Sequence, residues 1–119
     1  MAFWGLFKRG KKDINSLSTC YIKKQFAFLK KSGYTLDFCE RNGEREFVYS
    51  FKNCTIEIYI CDFHFGCIIK TEGFERTNLL ETQFATSDFI AKFNLSSNIE
   101  KLEMIIVLLQ KNKDKFYLI

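Results

Sequence analysis

The sequence predicts an α+β fold: a four-stranded antiparallel meander sheet, with an N-terminal helix and C-terminal helices packed on one of its faces. Three observations carry this. Glu46 to Lys70, EFVYSFKNCTIEIYICDFHFGCIIK, alternates in side-chain character with the period of two that a half-buried antiparallel strand requires. Short turn signals punctuate it, with Asn42-Gly43 before it and Lys52-Asn53 and Asp62 to Gly66 within it. Apolar residues at helical spacing flank it on both sides.

Taken in order, residues 1–12, MAFWGLFKRGKK, place Phe3, Trp4, Leu6 and Phe7 just before Lys8, Arg9, Lys11 and Lys12. Such a basic, aromatic arm suits packing on the protein's own sheet with its lysines in water. It also suits an anionic lipid surface, or phosphates with Trp4 or Phe7 stacked on bases. Asn15 or Ser16 can cap a helix running to about Lys31, with Leu17, Cys20, Tyr21, Phe28 and Leu29 at helical spacing and Ile22 and Phe26 as an offset apolar pair. Lys30 and Lys31 sit where the helix dipole favours cations, and Gly33 can take the left-handed cap.

Tyr34, Leu36 and Phe38 then alternate with Thr35, Asp37 and Cys39 as a first strand, and Asn42-Gly43 turns it into the second. In the third, Cys54, Ile56, Ile58 and Ile60 share one face and Thr55, Glu57, Tyr59 and Cys61 the other; Cys67 to Lys70 resume an apolar run as the fourth. After the break at Thr71-Glu72-Gly73, the stretches 77–84 and 87–93 read as short helical pieces, the first with an irregular alternative. Ser97-Asn98-Ile99-Glu100 has capping-box spacing and opens a helix whose apolar stripe is Ile99, Leu102, Ile106 and Leu109, widened by Met104, Ile105 and Leu108. Phe116 to Ile119 form an apolar segment that can dock or add an edge strand.

A chain of 119 residues, 47% apolar and 17% aromatic, is expected to make one domain over residues 1–119 and not a disordered chain. Five cysteines at irregular spacing, without a secretory signal, point to reduced thiols in a cytoplasmic protein. The longest apolar run, Met104 to Leu109, is far short of a membrane span. The net charge of +4 conceals a segregation: residues 1–31 sum to +7, residues 32–100 to −5 and the last nineteen to +2.

Reactive residue types meet in one place. Cys54, Cys61, His64 and Cys67 include a Cys61-x-x-His64-x-x-Cys67 run, and a hairpin there would bring Cys61 and Cys67 nearly opposite each other. The spacing is not that of a zinc knuckle, and alternation sets Cys54 on the face opposite Cys61, so no metal site is expected. No orienting group or oxyanion turn accompanies the single His, and the six glycines are scattered, so no phosphate loop forms. The expectation is a non-enzymatic chain without catalytic residues or cofactor.

What remains is surface. Asp37, Glu40, Glu44, Glu46, Tyr49, Glu57 and Tyr59 can build an acidic patch containing aromatics, depending on which sheet face the helices cover. Tyrosine rings supply rigid contact area and carboxylates meet cations, so this patch fits a basic protein partner and repels nucleic acid.

The helix-turn FLKKSGYTLDF, the strands EFVYSFKNCTIEIYI and the closing helix NIEKLEMIIVLLQ, in a chain of this size, resemble the small α/β immunity proteins encoded beside polymorphic or contact-dependent bacterial toxins. The resemblance spans about residues 15–112. It implies a cytoplasmic, non-enzymatic protein that binds a cognate toxin domain, often a basic nuclease, and blocks its active site or substrate access. A secretion-type chaperone or adaptor shares the element order and is expected to dimerise through apolar surface. A nucleic-acid or membrane-surface module would use the basic residues of 1–31. The oligomeric state is left open.

Overall fold

Asn42 and Gly43 both take left-handed backbone, φ 52° and 82°, and close a two-residue hairpin whose flanking residues are Arg41 and Glu44. Such a connection suits the right-handed twist of its strands and sets the register between the two strands it joins. In the computed structural model, which describes residues 17–61 and 64–119, the sheet runs β1 (Thr35–Arg41), β2 (Glu44–Phe51), β3 (Cys54–Cys61), β4 (His64–Thr71) and β5 (Phe74–Asn78). The spatial order equals the chain order, so this is an antiparallel meander.

The sheet has five strands where the sequence suggests four. Part of the stretch read as helical or irregular from residue 77 belongs to β5, FERTN, which enters through Gly73 at φ 88°. Its register against β4 slips between Ile69 and Thr71, and as an edge strand it has no period-two burial to announce it. The β3–β4 turn is also shorter than Asp62 to Gly66, because His64 already pairs with Cys61. Asp62 and Phe63 lie outside the described residues.

β3 alternates strictly between buried and half-buried positions, and its buried set, Cys54, Ile56, Ile58 and Ile60, defines the core face. The register adds Phe47 and Tyr49 from β2, and Phe65, Cys67 and Ile69 from β4. Each such Ile or Phe removed from water contributes about 1.5–3 kcal/mol, and together they hold the helices on this face.

The N-terminal helix is two pieces, α1 (Thr19–Gln25) and α2 (Ala27–Lys31), hinged at Phe26 with φ −96° and ψ 14°. Ser18 caps it, its Oγ accepting the Tyr21 N–H at 3.0 Å; Asn15 and Ser16, expected as caps, lie outside the described residues, as does the arm 1–12. The offset pair Ile22 and Phe26, with Leu29, forms the buried stripe, whereas Cys20 is exposed and Tyr21 and Phe28 are half-buried. Gly33, φ 109°, ends α2 as expected.

After β5 a 3-10 turn (Leu79–Glu81) leads to α3 (Ser87–Asn94) and α4 (Asn98–Lys111). The capping box is present: Glu100 N–H donates to Ser97 Oγ at 3.3 Å and Ser97 N–H to Glu100 Oε1 at 3.0 Å. Leu102, Ile105, Leu108 and Leu109 are the buried residues of α4, so its stripe is centred one residue before Ile106. Phe116 docks in turns and not as a strand: it is fully buried, its carbonyl accepts the Tyr34 hydroxyl, and its ring lies 5.7 Å from that of Phe84.

Candidate protein-binding face

The helices α1, α2 and α4 and the Phe116 segment all contribute to one core on the inner face of the sheet, and no described element packs on the outer face. That outer face carries Asp37, Glu44, Glu46, Val48, Glu57, Tyr59, Cys61, His64, Gly66, Ile68 and Lys70, as strand parity and register dictate.

At its centre is a groove of about 330 Å³ bounded by Glu46, Glu57, Tyr59, His64, Arg76 and Asn78, with Gly66 and Ile68 along its floor. Arg76 on β5 reaches across β4 to Glu57 on β3, Nε donating to Oε2 at 3.0 Å and Nη2 to Oε1 at 2.8 Å. The Glu57 side chain is 12% exposed and that of Arg76 63%, so the pair forms one wall of the groove with its cation on the wet side. Glu57, and more weakly Glu46, holds the guanidinium above its ordinary pKa.

The other wall is Tyr59. Its ring meets that of His64 edge-on at 6.1 Å, and the position opposite Tyr59 in the register is Gly66. A Cβ there would stand 3.0 Å from His64 Nε2, close enough that the exposed imidazole would have to shift slightly. The carboxylate of Glu44, hydrogen-bonded to the Tyr59 hydroxyl, keeps that phenol protonated above its usual range, with partial burial adding to the effect. This face therefore sets aromatic edges between carboxylates.

Of the residues expected to form the patch, Glu46, Glu57 and Tyr59 line the groove, and Glu44 and Asp37 share their face. Tyr49 does not. It pairs with Ile56, is 1% exposed, and lies 6.0 Å from Phe26 in the core. Burial lifts its hydroxyl pKa to about 12. Glu40 is exposed but follows the parity of Leu36 and Phe38, on the helix side. Arg76, His64 and Gly66 complete the groove without having been expected there. A glycine inside an otherwise alternating strand is the signal for His64 and Gly66; Arg76 needed β5 to be recognised.

The Cys-His constellation is split by the sheet. Cys54 and Cys67 point into the core, where burial raises both thiol pKa values, while Cys61 and His64 face outward. Cys67 stands opposite Ile58, not Cys61. Among the described residues no group of three or more His, Cys, Asp or Glu is placed to hold a metal, and no helix is long and apolar enough to cross a membrane.

Charge is only partly sorted between the layers, since Arg41, Lys70 and Arg76 share the outer side with its carboxylates. Lys23, Lys24, Lys30 and Lys31 are exposed on α1 and α2, on the opposite side of the sheet from Glu44, Glu46 and Glu57. These features define an α+β protein with a one-sided antiparallel sheet. Compared with known proteins, the chain matches no family model, no curated protein and no solved structure.

Proposed function

We propose that this chain is a non-enzymatic, cytoplasmic protein-binding module that binds and neutralises a cognate bacterial toxin domain, as immunity proteins do, using the outer sheet face. The observation that carries the reading is the sidedness of the sheet: the helices are on one face, and the other presents Glu46, Glu57 and Tyr59 around an open groove, with Glu44 on the same face. A rigid sheet holds these groups without loop ordering, which lowers the entropic cost of binding. A basic nuclease domain is the partner such a face fits, because carboxylates at fixed spacing substitute for phosphates and cover the cleft that would receive nucleic acid. The basic residues of α1 and α2 face away and do not oppose that approach. No cofactor, metal or obligate nucleic acid enters this reading.

The test is comparative capture from lysate of the protein's own cells, with and without added nuclease. Wild type and a helix-side variant, Lys23→Glu/Lys24→Glu, are expected to retain the same stoichiometric protein, and Glu44→Lys/Glu46→Lys/Glu57→Lys to lose it. Equal retention by the triple variant, or loss of the bound material on nuclease treatment, rejects the reading.

A second reading has its own observation. Phe89, Met104 and Val107 line an open groove of about 390 Å³ between α3 and α4, and Val107 is 47% exposed. Such an apolar helix surface is what a secretion-type chaperone or adaptor would offer a client. Val107→Asp abolishing partner capture while the triple glutamate variant leaves it intact would move the function to that groove.

A further inference from the structure

We propose that the outer edge of β1 pairs with the same edge of a second copy of this chain, antiparallel, about a two-fold axis at Cys39. The two sheets then become one continuous sheet with both acidic faces on the same side.

Because the Asn42-Gly43 turn has two residues, Arg41 and Glu44 form the hydrogen-bonded closing pair, and such pairs recur at every second position. Thr35, Asp37, Cys39 and Arg41 therefore direct their N–H and C=O groups at β2, and Leu36, Phe38 and Glu40 direct theirs outward. β1 ends the sheet order, and among the described residues nothing pairs with that edge. Edge strands are ordinarily protected by proline, a bulge, great shortness or charged side chains, and of these β1 has only the last, as Asp37, Glu40 and Arg41. β1 has seven residues, no proline and an unbroken register with β2.

The side chains select the occupant. An axis at Cys39 sets Asp37 of one copy opposite Arg41 of the other, twice, on the outer face. It sets Glu40 opposite the second copy's Phe38, over whose ring the Lys23 Nζ lies at 5.0 Å, giving each carboxylate a further cation. Each neighbouring register fails. An axis at Asp37 or at Glu40 opposes like charges, and one at Phe38 sets Asp37 opposite Cys39 and Glu40 opposite Leu36, so that neither acid has a cation directly opposite it. The favoured register makes Phe38 and Glu40 the hydrogen-bonded pairs, as their outward backbone groups require. It leaves Cys39 facing its own copy as a non-hydrogen-bonded pair, with α-carbons about 4.5 Å apart, within disulfide reach. Cys39 is exposed, as is Cys20, whereas Cys61 is half-buried.

The experiment is sedimentation velocity of the full chain over a dilution series, combined with diamide treatment. Diamide takes the two thiol hydrogens and is reduced as a disulfide forms. The wild type is expected to dimerise and to cross-link through Cys39, with Cys39→Ser removing the covalent dimer and Cys20→Ser and Cys61→Ser retaining it. Asp37→Arg or Arg41→Asp alone is expected to weaken dimerisation about tenfold, since each sets like charges opposite one another twice. The Asp37→Arg/Arg41→Asp double variant regains it, which excludes misfolding as the cause. A monomer at every concentration, a dimer indifferent to both charges, or cross-linking through Cys20 or Cys61 overturns the proposal.

Discussion

Arg76 bridges to Glu57 over an intervening strand, with two hydrogen bonds of 2.8 and 3.0 Å between side chains 19 residues apart. The link ties edge strand β5 to the centre of the sheet and removes one carboxylate's worth of negative potential from the outer face.

Arg76→Ala is therefore expected to do two things. Thermal stability falls slightly at low salt, with the difference fading at high salt, because the guanidinium is largely in water and screened. The outer face gains negative potential, so association with a basic partner accelerates at low salt. Melting curves and association rates across a salt series check both.

Gly33 is where a side chain is least tolerated. Its φ is 109°, and an added Cβ would meet Phe51 Cε1 at 2.7 Å, on a ring that itself packs 5.4 Å from Tyr34. Gly33→Ala is expected to destabilise the fold by roughly 1–3 kcal/mol, combining left-handed strain with a displaced ring. A urea titration measures it; an unchanged midpoint would mean that the α2–β1 corner is not set by this glycine.

Alkaline pH tests the buried phenols. Tyr49 is lifted from the ordinary 10.0 to about 12 by burial, and Tyr34 is raised further, by burial and then by its hydrogen bond to Cys54. A group whose folded pKa is raised contributes stability fully present below its unfolded value and lost as pH rises through the folded one. Stability is thus expected to decline from about pH 10 towards pH 12, with these two tyrosines ionising only as the chain unfolds. Tyrosinate absorbance followed beside circular dichroism reads this, and early, non-cooperative ionisation of all the tyrosines would contradict it.

Much of this fold is written locally. The alternation of residues 54–61, the Asn42-Gly43 turn and the Ser97-to-Glu100 capping box each act over a few residues, and each appears in the structure. What depends on pairing partners is less legible. β5 carries Glu75, Arg76 and Thr77 in succession and becomes a strand because β4 offers it an edge, a tertiary effect that no local propensity records. The break at Phe26 likewise arises where the chain turns its apolar stripe onto Tyr49. For Tyr49 itself the signal is present: counting back across the two-residue Lys52-Asn53 turn sets it opposite Ile56, and hence in the core. The groove was legible in its carboxylates and Tyr59, which follow parity, and hidden in Arg76, which arrives from the unrecognised strand.

The outer sheet face as the partner surface is tested most directly by the association rate of the captured partner with wild type and with Glu44→Lys/Glu46→Lys/Glu57→Lys, measured at low and high salt on variants with native circular dichroism. Slower association is expected for the triple variant, chiefly at low salt, with the difference narrowing as salt rises. Identical association rates at low salt would contradict it.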